Sequence, residues 1–272
     1  MGSLRRVLLI CAYGLSLPGC GSKEVAPELA NGGASNAAGA TGISGEGGSE
    51  AVASAGAAGA GAAGEFEPPE PAACAPASAR DASPLIDDFE DGDGTLEQPS
   101  NRSGHWYANN DGTGTQTPAS DPGGSSFTLD APGSPDSPQY ALHTVGSGFT
   151  SWGAFVSSDL NLQPGLLCPY DAASFSGVRF NFKGSGAVRV EFGLGATTPA
   201  PYGGRCEAER CSDYGFDISP SDDWTEVRVP FESARLPDWA SPVPWDASDL
   251  VRLSFWVETG DFDFWIDDIS FY

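Results

Sequence analysis

Carboxylates are concentrated at the two ends of the segment that spans residues 74–272. The stretch "LIDDFEDGDG" occupies residues 85–94, and the final stretch "FDFWIDDISFY" places Asp267 and Asp268 among aromatic and branched side chains. An unpaired carboxylate in an apolar interior is costly, so it needs a partner or gives up its charge. Oxygen ligands of this kind are those that Ca²⁺ prefers, about six to eight at a time.

The elements that must position these acids have the pattern of short strands. Polar and apolar residues alternate in "GVRFNFKG", "AVRVEFGL", "TEVRVPF" and "LVRLSFWVE",. The last of these runs turns Phe255 inward and Trp256 outward. The first two runs are joined by "GSG" (184–186), which predicts a hairpin. No stretch of the domain shows a sustained helical stripe, so the sequence predicts an all-β fold, an antiparallel β-sandwich of jelly-roll type.

This architecture can bring the two acidic ends together. In "IDDFED", Phe89 is expected to face the core, which leaves Asp88 and Glu90 on the opposite side of the strand,. Because the first and last strands of a jelly roll are commonly neighbours, oxygen ligands from both ends can meet around one Ca²⁺. The alternative is a solvated acidic loop, with one carboxylate satisfied by backbone amides or by Arg.

Residues 1–19 have the pattern of an export signal. The basic pair Arg5 and Arg6 precedes an apolar run that is too short to span a bilayer,. The run closes on "LPGC", which resembles the lipobox of bacterial lipoproteins, so Cys20 is the predicted lipidation site. Lipid chains would anchor the protein, most simply at the outer membrane or cell surface. The alternative is an ordinary signal peptide followed by an incidental Cys.

Residues 20–73 consist mainly of Gly, Ala and Ser and end in the Pro-rich "EFEPPEPAA". They lack the large apolar side chains that offset the entropy of ordering a chain, which predicts a disordered linker. Residues 74–272 contain all seven Trp and every Tyr except Tyr13, and they predict one domain,.

Cysteine usage and charge limit the compartment and the partners. Four Cys lie within the domain, an even set that favours disulfides in an exported chain,. Cys206 and Cys211 close a small loop, and Cys74 with Cys168 follows by elimination. The 13 basic and 37 acidic residues give a formal net charge of −24. This charge disfavours nucleic acid and anionic polysaccharide, and it leaves neutral glycans, cations or basic proteins as partners.

Motifs for catalysis are absent from the sequence. His105 and His143 are the only two His, and neither belongs to an HExxH pair,. The sequence also lacks a GxSxG nucleophile motif and a phosphate-binding loop. Paired carboxylates could in principle cleave glycosides, but the obvious acidic cluster is better used on a cation. The sequence therefore predicts a protein that is not an enzyme.

Four stretches together resemble carbohydrate-binding modules of the galactose-binding-like jelly-roll superfamily, particularly family 11, and related domains on surface lipoproteins of myxobacterial type. The stretches are "LIDDFEDGD", "GHWYANND", "DDWTEVRVPFESA" and "FDFWIDDISFY". The resemblance implies a structural calcium held by one carboxylate from the opening and one from the closing segment. On this chain those residues are Asp88 or Glu90, and Asp267 or Asp268. It also implies non-catalytic glycan binding across one sheet face.

Candidate glycan ligands come from outward-facing and loop positions, because sugars bind to aromatic faces and planar polar groups. On the strands these candidates are Trp256, Arg179, Asn181, Arg189 and Glu191. In segments that resemble loops they are His105, Trp106, Tyr107, Trp152 and Tyr214. Each could instead pack under a loop or form a cross-strand ion pair. The alternative function is a surface adhesion domain that recognises protein and binds no glycan.

Overall fold

The computed structural model describes Cys74 and residues 77–78, 83–96, 102–121, 129–130, 132–164 and 166–272. The predicted signal peptide, the lipidation site Cys20 and the linker up to residue 73 lie outside the described residues. No helix in the described ranges is both long and apolar enough to cross a bilayer.

The described residues form fifteen strands, which are numbered here in chain order. They are β1 (Ala77–Ser78), β2 (Leu85–Asp87), β3 (Trp106–Asn110), β4 (Thr115–Thr117), β5 (Leu142–Phe149), β6 (Ala154–Asp159), β7 (Leu162–Gln163), β8 (Leu166–Leu167), β9 (Tyr170–Asp171), β10 (Gly177–Ser185), β11 (Val188–Leu194), β12 (Tyr214–Asp217), β13 (Ser221–Pro230), β14 (Leu250–Val257) and β15 (Gly260–Phe271). Single-turn 3₁₀ helices occur at Ala200–Tyr202, Phe231–Ser233 and Ala247–Asp249.

Two sheets pack face to face. The seven-stranded front sheet runs β3-β6-β14-β11-β12, with β9 and then β1 joined at the start of β14. The six-stranded back sheet runs β13-β10-β15-β5-β4, with β2 added beside the end of β15. Apart from the parallel pair β1–β9, the strand pairs in both sheets are antiparallel. The predicted antiparallel sandwich is confirmed.

The core lies between the two sheets and is built from the inward residues of each alternating strand. Phe180 of the back sheet meets Phe255 of the front sheet edge to face, with ring centroids 5.0 Å apart. Phe255 also lies 6.2 Å from the ring of Trp106. Strands with one buried face alternate, which is what the period-2 pattern encodes. In the middle of the front sheet the outward residues Tyr107, Ser157 and Ser254 are buried as well.

The predicted hairpin between the first two alternating runs is wrong. β10 pairs with β13 and β15 in the back sheet, whereas β11 pairs with β12 and β14 in the front sheet. The "GSG" turn therefore carries the chain across the sandwich. The inward side chains of β10 and those of β11 face each other across the core, and the two strands are not neighbours in one sheet.

The opening acidic segment and the last strand of the domain are neighbours, as predicted. Leu85 and Asp87 of β2 pair antiparallel with Ser270 and Ile269 of β15. Both predicted disulfides are also confirmed: Cys74 bonds to Cys168, and Cys206 bonds to Cys211.

Candidate functional site

The outer face of the front sheet carries two adjacent rows of side chains, one residue from each of five strands. The first row, called here the aromatic row, is Asn109, Phe155, Trp256, Arg189 and Asp217. The second, called the central row, is Tyr107, Ser157, Ser254, Glu191 and Gly215. Directly paired residues on one sheet face lie about 4.5–5.5 Å apart, so each row is continuous.

Trp256 is fixed by the turn that precedes β6. Its indole Nε1 donates to the carbonyl oxygen of Trp152 at 2.7 Å, and the Trp152 ring lies 5.8 Å from the ring of Phe155. Asp111 holds this turn, because its Oδ2 accepts from the amides of Ser151 (3.1 Å) and Gly153 (2.7 Å). The three aromatic rings therefore have defined positions at one side of the face.

Arg252 lies on the same face, beyond the central row. Its Nε donates to Asp159 Oδ1 at 2.7 Å, and Tyr107 lies close to the same carboxylate. Burial by itself lowers the pKa of Arg252, but Tyr107, Asp159 and Asp213 together raise it above its ordinary value. Burial also raises the pKa of Tyr107. Both groups therefore keep their protons, and they can act as hydrogen-bond donors.

Arg189 lies flat across β12 because Gly215 has no side chain. A Cβ on Gly215 would sit 2.0 Å from Arg189 Nε. The guanidinium donates to Asp217 through Nη1 at 2.8 Å and to the carbonyl of Arg235 through Nη2 at 2.9 Å. These bonds direct the Arg189 donors toward the β12 edge and away from the middle of the face.

Glu191 is the least satisfied charged group on this face. Its Oε1 is buried without a hydrogen-bond partner in the described part of the chain, and the nearest cationic atom, Arg189 Nε, is 3.4 Å away. Burial raises the pKa of Glu191 well above its ordinary value, and the nearby Asp213 raises it further, although the ion pair with Arg189 opposes the shift. Burial likewise raises the pKa of Asp213, opposed by a hydrogen bond from Thr197.

Arg179 and Asn181 lie on the opposite outer surface, because β10 belongs to the back sheet. They line a recess of about 310 Å³ with Glu226, Asp268 and other residues. The sequence-predicted strand ligands therefore do not form one site: Trp256, Arg189 and Glu191 share the front face, and the other two do not.

The back face offers no free aromatic platform at Trp265. The ring of His143 stacks on it at 3.8 Å and 5°, and the Lys183 ammonium lies 5.4 Å from its centroid. His143 is itself held by carboxylates on both ring nitrogens, Asp130 at 2.5 Å and Asp263 at 2.8 Å.

Two of the candidates from loop-like segments lie away from the front face. Trp106 is fully buried within β3, and its Nε1 donates to Asp87 Oδ2 at 2.8 Å. It is a core residue, because strand alternation turns it inward while Tyr107 turns outward. Tyr214 pairs with inward-facing Phe192 and packs against Trp245 at an aromatic cleft. His105 and Trp152 remain beside the front face.

Several residues of the front face were missed. They are Phe155, Ser157, Asp159, Asp213, Arg252 and Ser254. The outward parity of Arg252 and Ser254 is visible in "LVRLSFWVE", but their neighbours become evident only when β6 is known to pair with β14.

At the opening acidic cluster, the buried carboxylate is Asp87 rather than Asp88 or Glu90. Phe89 is buried with a φ of +57°, so the backbone departs from strand geometry directly after β2,. Glu90 instead accepts hydrogen bonds from the amides of Gln139 (2.8 Å) and Tyr140 (3.1 Å). Glu90 therefore holds the loop of residues 132–140.

At the closing end, a bulge turns both acids toward the same loop. Asp268 has a φ of +51°, and the pairing of β15 with β10 slips at this point,. Asp267 Oδ2 accepts from the amide of Ser134 at 2.7 Å, and Asp268 accepts from the hydroxyls of Ser134 and Ser137. Burial raises the pKa of Asp267 to about 7, opposed by the Ser134 amide and reinforced by Asp268.

These acids fit hydrogen bonding better than calcium coordination. Both carboxylate oxygens of Glu90, Asp267 and Asp268 accept from N–H or O–H donors, whose hydrogens point where a cation would bind. Within the described ranges, no group of three or more His, Cys, Asp or Glu side chains is placed to hold a metal ion. Calcium binding by Asp88, Glu90, Asp267 and Asp268 stays a prediction.

Comparison with known proteins finds distant structural similarity only. No protein-family model and no curated protein matches the chain. The family 11 carbohydrate-binding module of the cellulosomal cellulase Lic26A-Cel5E of Clostridium thermocellum has a TM-score of 0.45 and 15% identity, covering 70% of this chain and 94% of that one. The family 30 module of Cel9D-Cel44B from the same organism has a TM-score of 0.43 and 15% identity, covering 70% and 96%. Similarity this low carries no argument about function, and the fold class rests on the strand pairing itself.

Proposed function

We propose that the domain binds neutral glycans without cleaving them, through the outer face of the front sheet. The observation that carries this proposal is the placement of the partly exposed Phe155 and Trp256 in one row, beside Arg252 and the largely buried Tyr107. Sugar rings present apolar faces to aromatic side chains and hydroxyls to planar polar groups. Binding sites in general combine aromatic surface with a few fixed polar groups.

Charge on this face favours an uncharged ligand. The two cations are already committed, Arg252 to Asp159 and Arg189 to Asp217. The carboxyl groups of Asp159, Asp217 and Asp213 outnumber these two cations on the face, and this balance disfavours an anionic polysaccharide,. The opposite surface is less suitable, because His143 and Lys183 already occupy the ring of Trp265.

Calorimetric titration of the domain with β-glucan and galactan oligosaccharides tests the proposal. We expect saturable binding to at least one neutral oligosaccharide, with no reducing sugar released on prolonged incubation. Release of reducing sugar would contradict the non-catalytic part. An absence of binding at millimolar concentrations would contradict the proposal as a whole.

We further propose that a lipid on Cys20 anchors the protein to the cell envelope, and that the linker of residues 20–73 connects this anchor to the domain. The support is the "LPGC" sequence after the short apolar run,. Metabolic labelling with a radioactive fatty acid in a bacterial host is the test. Wild type and Cys11→Ser, whose Cys lies in the signal, should incorporate label, and Cys20→Ser should not.

The calcium prediction has a separate test. If the acidic ends hold Ca²⁺, EDTA should lower the melting temperature of the purified domain, and added Ca²⁺ should restore it. An unchanged melting temperature would contradict the calcium prediction and would favour hydrogen bonding as the role of Glu90, Asp267 and Asp268.

An interaction domain that recognises protein is the second candidate. Trp239 and Tyr202 are 41% and 52% exposed, and aromatic side chains are enriched at protein interfaces,. Their loops are tied together where the amide of Ser241 donates to the carbonyl of Arg210 at 2.9 Å. A pull-down with the wild-type domain and with Trp239→Ala tests this function. A protein that the wild type retains and the variant does not, together with no glycan binding, would favour it.

A further inference from the structure

Glu191 occupies the middle of the front face, surrounded by charged and titratable groups from every neighbouring element. Those groups are Arg189 on its own strand, Asp217 on β12, Asp213 in the segment before β12, Arg252 on β14, Asp159 on β6 and Tyr107 on β3. Carboxylates outnumber guanidinium groups in this set, so an ionised Glu191 would add repulsion.

The ion pair that Arg189 makes with Glu191 is long and is shared with other acceptors, so it neutralises Glu191 only in part. Arg189 directs Nη1 to Asp217 and Nη2 to a backbone carbonyl, while its Nε stays 3.4 Å from Glu191 Oε1 without making a hydrogen bond. Arg252 directs its Nε to Asp159. A buried carboxylate whose only close cation is shared and makes no hydrogen bond to it is poorly compensated, and burial then favours the protonated form,.

We propose that Glu191 meets the ligand as an uncharged carboxylic acid and donates its proton in a hydrogen bond to a ligand oxygen, so that affinity falls as pH rises. This inference rests on the proposed glycan-binding function. The acceptor is a hydroxyl or ether oxygen of a neutral saccharide, because Asp213 and Asp217 disfavour a ligand carboxylate at this position.

Glycan titration at a series of pH values is the first test. Affinity of the wild type should be constant at low pH and then fall about tenfold per pH unit once Glu191 ionises. Glu191→Gln retains an N–H donor and no longer titrates, so it should bind throughout and lose the pH dependence. Glu226→Gln, on the outer surface of the back sheet, is the matched control and should behave as the wild type.

Two results of this experiment would overturn the inference. One is wild-type binding that does not change with pH. The other is loss of binding by Glu191→Gln at every pH, since that would mean that the ligand needs an ionised acceptor at residue 191.

Asp213→Asn distinguishes ionisation of Glu191 from a purely structural role of this residue, because only ionisation predicts a shifted midpoint in the pH dependence of affinity. Removing the Asp213 charge makes ionisation of Glu191 easier, so the midpoint of the affinity change should move to lower pH. The side chain keeps its shape and its oxygen for Thr197. An unmoved midpoint would assign the pH dependence to another group and overturn the inference.

Stability without ligand separates this inference from the proposed function. A Glu whose pKa is raised in the folded state contributes stability that is full below the unfolded pKa and is lost as pH rises through the folded pKa. The stability of wild type relative to Glu191→Gln should therefore decrease with rising pH in urea denaturation. A difference that is constant with pH would show that Glu191 is ionised, even if no glycan is ever found.

Discussion

The carboxylate of Asp87 accepts a hydrogen bond from the indole Nε1 of Trp106 at 2.8 Å, and both side chains are buried. This bond crosses the core, since Asp87 ends β2 of the back sheet and Trp106 begins β3 of the front sheet. The second carboxylate oxygen accepts from the amide of Phe89 at 2.8 Å. Asp87 therefore links the two sheets and also fixes the turn at Phe89.

Replacing Asp87 should be strongly destabilising. Asp87→Ala leaves the indole N–H and the Phe89 amide without their acceptor in the core, at a cost of about 3 kcal/mol of unfolding free energy. Urea denaturation measures this directly. The matched control is Asp88→Ala, whose partly exposed side chain accepts a local bond from the Glu90 amide at 3.2 Å, and it should cost less than about 1 kcal/mol. Equal losses for the two variants would contradict the assigned role of Asp87.

The two disulfides should differ in what they contribute. Cys74–Cys168 has a sequence separation of 94 residues, and Cys206–Cys211 has one of 5. Loop-closure entropy in the unfolded chain gives about 4–5 kcal/mol for the long bridge and about 2 kcal/mol for the short one. Guanidinium denaturation of the two double Cys→Ser variants tests this order. A larger loss for the short bridge would mean that native packing of that loop, and not chain entropy, dominates.

Much of the fold follows from local pattern. The alternation of β10, β11, β13 and β14 could be predicted from the period of two along each strand, although outward Ser254 of β14 is buried as well,. The pairing of the opening acidic segment with the last strand could be predicted from jelly-roll topology. Sheet membership could not be predicted in this way. β10 and β11 have the same alternation whether they pair edge to edge or pack across the core, and this choice separates Arg179 from Arg189.

The candidate site was predictable only in part, for two physical reasons. Outward parity identifies Trp256 and Glu191, but it does not reveal that β6 and β3 bring Phe155 and Tyr107 beside them. Positive φ at Phe89 and at Asp268 also breaks the alternation on which the acidic residues were placed. The alternation of residues therefore does not predict which side of the strand a carboxylate next to such a residue takes, or which group it bonds to.

Asp111 should make the Trp152 turn sensitive to acid. Burial opposes the charge of Asp111, but hydrogen bonds from Thr113, Gly153 and Ser151 outweigh it and lower its pKa. A lowered folded pKa contributes stability that is present above the unfolded pKa and is lost as pH falls through the folded pKa. Asp111→Asn should therefore cost about 1 kcal/mol at neutral pH, and the difference from wild type should shrink in strong acid.

Urea denaturation at pH 7 and in strong acid measures this difference. Asp222→Asn, an exposed position on β13, is the matched control and should leave the unfolding free energy nearly unchanged. A difference for Asp111→Asn that is the same at both pH values would mean that the bonds to Ser151 and Gly153 do not depend on the charge.

Glycan binding should respond to the front face and not to the back face. Trp256→Ala removes an indole held at 2.7 Å by the carbonyl of Trp152, and loss of a central aromatic contact of about 2 kcal/mol lowers affinity about 30-fold. Trp256→Phe keeps a ring and should lose less. Lys183→Ala, which uncovers Trp265 on the back sheet, should leave affinity unchanged. Calorimetry with the same oligosaccharide measures these affinities. If Lys183→Ala alone binds more weakly, the glycan site lies on the back sheet and the proposed front-face site is wrong.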